Sequence, residues 1–193
     1  MKRIFLLFVL IITAYVASAF VRTFLIQTYY IPTISMAPTL NVDDRVLVIK
    51  KPFIKDINYG DVIIFYPNGK TKSNFGLFIN SLNLKKIINL ESNDIVYIKR
   101  VIGKQKDIVK IMNDGSVLVN DEKLNLTKEF SGYNFEEGNW VVPLGQYFVL
   151  GDNLLNSNDS RVYGFIKDID IVGKAWLKIF PFNEVQLLND WTW

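Results

Sequence analysis

The sequence contains neither cysteine nor histidine. These two absences exclude a Ser-His-Asp triad, a thiolate nucleophile, a disulfide framework and any zinc site built on Cys or His. A serine nucleophile in this chain must therefore take lysine or a carboxylate as its base. Lack of cysteine leaves the compartment open, because a chain of 193 residues, 50% of them apolar, can bury a core without disulfides. Excess charge of one sign is also missing outside the first residues. The formal net charge of +3 is supplied by Lys2, Arg3 and Arg22, and the remaining chain balances 19 basic residues with 19 acidic ones. That balance removes the electrostatic footprint of a nucleic-acid partner. No internal repeat or low-complexity run is present, and no metal or cofactor is expected.

What the chain does have is one long apolar run. Ile4 to Val21 is an uncharged stretch of 18 residues, about 27 Å as helix, against roughly 30 Å of bilayer hydrocarbon. Arg22 can snorkel while Phe24, Leu25 and Ile26 extend the apolar character. Tyr29 and Tyr30 fall where an interfacial aromatic belt is expected. Lys2 and Arg3 mark the inner side, which places the bulk of the chain outside the cytoplasm. The rival reading is a cleaved secretory signal, since Ala17-Ser18-Ala19 resembles a cleavage site before Phe20. The run exceeds a usual signal core, contains no Gly or Pro, and stays apolar past the candidate site. These features favour an anchor over residues 1–28, with its helix at about 4–26, followed by one domain over 29–193.

Beyond the anchor the periodicity turns strand-like. Arg45–Lys50 and Asp61–Tyr66 are β-branched runs that end at Pro52 and at Pro67-Asn68-Gly69. Ile95–Ile102 and Asp107–Met112 follow, and Asn113-Asp114-Gly115 is a hairpin signal leading into Ser116–Val119. Gln146–Leu150 and Ile171–Phe180 complete the set. The pattern predicts an all-β domain of partly barrel-like antiparallel sheets. Gly69–Asn93 reads as a short helix or a membrane-facing flap, and Thr127–Gly138 as a surface loop.

Three stretches carry chemistry. In Ile31-Pro32-Thr33-Ile34-Ser35-Met36-Ala37-Pro38-Thr39-Leu40, Pro38 biases Ala37 away from helix and Pro32 fixes its own φ, so Ser35 sits on a proline-braced extended loop. Taken alone this is an ordinary turn with a surface serine. The second stretch, Tyr97-Ile98-Lys99-Arg100-Val101-Ile102-Gly103, places Lys99 on one strand face with Tyr97 and Val101, and Arg100 on the other. A lysine serves as base only when desolvation lowers its pKa, whereas a guanidinium stays protonated. Taken alone, Lys99 is a surface lysine at a strand edge. Acyl transfer also needs oxyanion donors, for which the Ser35 N–H and the Thr33 hydroxyl are candidates. The third stretch, Gly151 to Arg161, packs Asp152, Asn153, Asn156, Ser157, Asn158, Asp159, Ser160 and Arg161 into one loop. Burying such a cluster requires its members to satisfy one another, which pairs Asp159 or Asp152 with Arg161. A calcium loop is the alternative, but its twelve-residue spacing with a terminal Glu is missing.

In this order the three stretches resemble the motifs of bacterial type I signal peptidases, which are serine–lysine peptidases. The resemblance implies Ser35 as nucleophile, Lys99 as general base, Thr33 and the Ser35 N–H as oxyanion donors, and Ser157 as the hydroxyl that orients Lys99. It implies Asp159 and Arg161 as a supporting ion pair, with Asp152 in the same support. It further implies a β-sheet catalytic domain at the outer surface of the cytoplasmic membrane. The expected partners are the lipid bilayer and preproteins bearing signal peptides, cut after small residues in an Ala-X-Ala pattern. Two departures from the family pattern stand out. Leu154-Leu155 occupies the place of Arg-Asp, and Lys104-Gln105-Lys106-Asp107 the place of Leu-Pro-Gly-Asp. They bear on substrate preference or loop geometry more than on catalysis. A conjugation-type peptidase dedicated to a pilin-like substrate would account for them within the same chemistry. An anchored domain that binds peptides without cutting them is the reading from another class, and retention of both Ser35 and Lys99 weighs against it.

Overall fold

A computed structural model describes residues 2–67, 96–124 and 133–188. The segment Gly69–Asn93 and residues 127–132 of the expected surface loop lie outside them. The chain opens with α1 (Lys2–Phe20), prolonged by a π-helical turn over Val21–Leu25. Together they form a helix of 24 residues, long and apolar enough to cross a membrane. Ala19 is the buried residue of α1, and Ile4, Phe5, Leu6, Leu7 and Phe8 are each more than half exposed. The Thr13 and Thr23 hydroxyls donate to the Leu10 and Ala19 carbonyls, so neither needs a partner outside the helix.

Twelve short strands follow among the described residues: β1 (Ile26–Tyr30), β2 (Arg45–Lys50), β3 (Val62–Phe65), β4 (Tyr97–Gly103), β5 (Ile108–Ile111), β6 (Val117–Val119), β7 (Glu122–Lys123), β8 (Gly138–Val141), β9 (Gln146–Leu150), β10 (Ile166–Lys167), β11 (Ile171–Phe180) and β12 (Gln186–Leu187). All their pairings are antiparallel. The larger sheet runs β1-β2-β11-β3-β4-β9-β10 with β12 also on β11, and the smaller runs β7-β6-β5-β8. β11 shifts register three times against its neighbours, between Ile171 and Gly173, Ala175 and Leu177, and Lys178 and Phe180. Such irregularities bend and twist a strand, so the sheet curls around its own core.

The sheet begins earlier than composition indicated. Ile26 pairs with Ile49, and Gln27 and Tyr29 turn inward to accept hydrogen bonds from Lys50 Nζ at 2.6 and 3.1 Å. The alternation that marks this strand is hidden in sequence because it continues the apolar character of the helix. β3 explains its unbroken Val-Ile-Ile-Phe run. Val62 and Ile64 join one apolar cluster with Ile31, Met36 and Leu40, while Ile63 and Phe65 join a second with Val101 and Val149 on the other face. A strand covered on both sides has no polar position. The expected hairpin is present as well, with Gly115 at φ +81° and the Met112 N–H donating to the Ser116 carbonyl at 2.9 Å.

Candidate active site

Three apolar side chains seat the Ser35 stretch. Ile31, Met36 and Leu40 are buried in the cluster behind β2 and β3, leaving Ile34 exposed and Ser35 at the edge of the core. Thr33 and Ala37 are extended, as Pro38 requires of its predecessor. Between them the chain makes a single 3-10 turn over Ile34–Met36, closed by the Ala37 N–H on the Ile34 carbonyl at 3.1 Å. The expected fully extended loop is therefore interrupted at the serine itself. The turn matters chemically, because the first N–H groups of a helical turn have no acceptor within it. The Ser35 N–H is one of these.

Lys99 comes to the serine from the middle of β4. It lies directly across from Ile63 of β3, on a face where the rings of Phe65, Tyr97 and Tyr163 pack at centroid distances of 5.8 to 6.1 Å. Its Nζ donates to Ser35 Oγ at 2.7 Å and to the Ile98 carbonyl at 2.9 Å. Thr33 Oγ1 is 3.2 Å from Ser35 Oγ. Lys99 is only 5% exposed, and this burial lowers its pKa from 10.5 to about 8, against an opposing pull from Asp159 and Asp152. Lys50 of β2 is also lowered to about 8 by burial. Its partners are a glutamine amide and a phenol, so geometry distinguishes the two lysines where titration does not.

The polar loop resolves the pairing that sequence left open. The Asp159 carboxylate, fully buried, accepts from Arg161 Nε at 2.8 Å and Nη2 at 2.9 Å, and from the Gly151 N–H at 3.1 Å. It also caps the short helix α2 (Ser160–Tyr163) by accepting from the Arg161 N–H. Asp152 pairs instead with Arg100, which grips both carboxylate oxygens at 2.7 and 2.5 Å and donates to the Gly60 carbonyl at 2.7 Å. Arg100, whose guanidinium cannot act as a base, thus holds the loop against β4. The signal for this was its place on the strand face opposite Lys99.

Ser157, implied as the hydroxyl that orients Lys99, reaches the site without making that contact. Among the described residues its buried Oγ finds no hydrogen-bond partner, and the second bond of Lys99 goes to the Ile98 carbonyl. Gly151 explains how close the loop comes. A Cβ there would lie 2.3 Å from Ser157 Oγ and 2.4 Å from the Ser35 carbonyl oxygen, so only glycine lets these elements meet. Among the described residues no three His, Cys, Asp or Glu side chains converge as metal ligands.

The two departures from the family pattern are accommodated by core packing and by a retained turn. Leu154 is buried in the apolar cluster with Val109 and Leu150, and its carbonyl accepts from Arg161. Asp107 keeps its turn by accepting from the Lys104 N–H, the Tyr59 hydroxyl and the Asn120 amide. Lys106, where the family has glycine, sits at φ +74°.

Residues 3–180 match the family described as signal peptidase, peptidase S26. The chain is 33% identical over 180 residues to the probable signal peptidase I-2 of Synechocystis sp. (strain ATCC 27184 / PCC 6803 / Kazusa), covering 93% of this chain and 74% of that protein. It is 32% identical over 190 residues to signal peptidase I T of Bacillus subtilis (strain 168), covering 91% and 85%. It is 31% identical over 186 residues to the inactive signal peptidase IA of Staphylococcus aureus (strain Mu50 / ATCC 700699), covering 95% and 96%. The chain belongs to the signal peptidase family, peptidase S26.

Proposed function

We propose that this protein is a serine endopeptidase that removes signal peptides from preproteins, with Ser35 as nucleophile and Lys99 as its base. Family membership alone does not decide activity, since one of its relatives is named inactive. The observation that carries the reading is the 2.7 Å contact between Ser35 Oγ and the desolvated Lys99 Nζ. Unprotonated Lys99 takes the proton from Ser35 Oγ as that oxygen attacks the scissile carbonyl carbon. The resulting oxyanion is held by the Ser35 N–H and the Thr33 hydroxyl. Collapse of the intermediate expels the new amino terminus of the mature protein, which takes the proton from Lys99. A water molecule then attacks the ester and gives a proton to Lys99, which passes it to Ser35 Oγ as the acyl–oxygen bond breaks and the signal peptide leaves as a carboxylic acid.

Asp159, Arg161, Asp152 and Arg100 act as scaffold in this scheme. Asp159 is paired with Arg161 and Asp152 with Arg100, which leaves neither carboxylate as a competing base. The 24-residue apolar helix anchors the protein in the cytoplasmic membrane. Lys2 and Arg3 on its amino-terminal side support a cytoplasmic N-terminus and a catalytic domain on the outer face. Ser35→Ala and Lys99→Arg test the dyad together in detergent-solubilised protein with a preprotein substrate. Both variants should fold and lose nearly all cleavage, because arginine keeps the charge but cannot accept a proton. Substantial turnover by Lys99→Arg would falsify the assignment of the base, and a peptide-binding role without catalysis requires that wild type itself show no cleavage.

A further inference from the structure

We infer that Asn153 is a positioning residue for the oxyanion site, acting through the peptide group between Ile34 and Ser35. This rests on the serine-peptidase reading above. The Asn153 side chain is 4% exposed, and its Nδ2 donates to the Ile34 carbonyl at 3.3 Å. Its backbone N–H donates to the Ser35 carbonyl at 3.1 Å. One residue thus grips both peptide planes that flank the nucleophile, from a loop 119 residues further along the chain.

The Ile34 carbonyl and the Ser35 N–H belong to one trans peptide unit, so they point in opposite directions and turn as one rigid plane. Fixing the carbonyl from behind fixes the direction in which the N–H is offered to substrate. The same carbonyl also accepts from the Ala37 N–H at 3.1 Å. Two donors on one carbonyl polarise the amide and strengthen its N–H as a donor, by the cooperativity of hydrogen-bonded chains. A donor that is already aimed costs no reorganisation when charge develops, which is the source of most oxyanion stabilisation. Gly151 makes the arrangement possible by letting the loop approach the Ser35 carbonyl without a Cβ in the way. The Asn153 side chain is held in turn by Asn156, whose backbone N–H donates to the Asn153 carbonyl at 3.0 Å and whose amide reaches Asn153 Oδ1 at 3.5 Å.

The test uses the full chain in detergent, a preprotein substrate, and the variants Asn153→Ala and Asn153→Asp. Removing an oxyanion donor outright typically costs 10²–10³ in kcat, so loosening one should cost roughly 10- to 100-fold. The loss should fall on kcat with KM within about twofold, and the acid limb of the Asn153→Ala profile should stay in place because the charges around Lys99 are unchanged, so the two variants are compared on the alkaline plateau, where the new carboxylate of Asn153→Asp no longer limits Lys99. Asn153→Asp fills the same volume and keeps the backbone bond, but sets an acceptor against the Ile34 carbonyl. It should lose as much or more, and it decides the matter should Asn153→Ala fail to fold. Turnover within threefold of wild type in either folded variant, a loss carried by KM, or a displaced acid limb in Asn153→Ala would each overturn the positioning role. Ser35→Ala separates this failure from that of the underlying reading: activity in Ser35→Ala removes the catalytic site altogether, whereas an inactive Ser35→Ala beside a fully active Asn153→Asp removes only the inference about Asn153.

Discussion

Replacing Lys99 with methionine should abolish cleavage and yet stabilise the fold at neutral pH. Burial lowers Lys99 from 10.5 to about 8 in the folded chain. A folded value below the unfolded one means that, between those two pH values, unfolding takes up a proton and stability rises with pH. Below pH 8 both states hold the proton, and the full cost of burying the ammonium, roughly 3 kcal/mol, is in force. Above about pH 10.5 that cost is gone. Methionine fills a similar volume without charge. Against this gain, the Ile98 carbonyl loses its donor, a cost of about 1–2 kcal/mol. The net at pH 7 is a gain of about 1–2 kcal/mol, or a rise in Tm of about 2–4 °C per kcal/mol for a chain of this size. The change with pH is the sharper measurement. Unfolding of wild type and Lys99→Met, followed in detergent at pH 7 and pH 10.5, should show the advantage of the variant shrink by roughly 3 kcal/mol and turn into a deficit. Lys50, lowered to about 8 as well, titrates in both proteins and cancels from the comparison. A difference between the two proteins that does not change with pH would refute the claim that Lys99 is held as a desolvated base.

Two further outcomes follow from the same geometry. Lys106→Gly, at a position held at φ +74°, should stabilise the protein by about 0.5–1 kcal/mol in the same unfolding assay, since glycine adopts this conformation without a Cβ penalty. A loss of stability there would show that the Lys106 side chain contributes more than its backbone costs. Arg161→Gln leaves Asp159 unpaired beside Lys99 and should cost about 3–5 kcal/mol of stability. Because Asp159 raises the Lys99 pKa and Arg161 lowers it, the acid limb of the rate profile should move to higher pH, with activity recovering under alkaline conditions. An unmoved limb in the folded variant would sink that electrostatic link.

Those strands whose β-branched runs are long enough to bury a face were legible in the sequence. β2, β3, β5 and β11 all coincide with such runs. β10 and β12 are only two residues long and exist because a neighbour offers its edge, as Tyr147 does for Ile166 and Leu177 for Leu187. No local pattern announces them. The order of the serine, lysine and polar stretches was legible too, but the partner of each arginine was not. Arg100 and Asp152 are 52 residues apart, and their pairing follows from how β4 lies beside β9. Asn153 was visible as one polar residue among many. Its grip on Ile34 and Ser35 appears only when the loop docks on the nucleophile turn. Ser157 marks the reverse case, a residue singled out by resemblance whose hydroxyl makes no hydrogen bond to Lys99 in this geometry.

Among the described residues three lysines are buried to a similar degree by solvent exposure, and comparing them explains what the arginine beside Asp159 contributes to the site. Burial lowers Lys178, but its hydrogen bonds to Glu184 and Asp44 outweigh this, and its pKa is raised. An ammonium held in that way remains an ammonium and cannot serve as a base at neutral pH. Lys50 bonds to an amide and a phenol, desolvation prevails, and its pKa falls to about 8. Lys99 has two carboxylates nearby, Asp159 and Asp152, and by position resembles Lys178. It titrates like Lys50 because burial outweighs their pull, and because Asp159 is bound to the Arg161 guanidinium, whose charge also lowers the Lys99 pKa. That charge opposes the pull of the carboxylates, and burial decides. The Arg161 guanidinium therefore bears on the acid–base chemistry although it transfers no proton: without it Asp159 would pull the Lys99 pKa upward and weaken the base that the 2.7 Å contact offers Ser35.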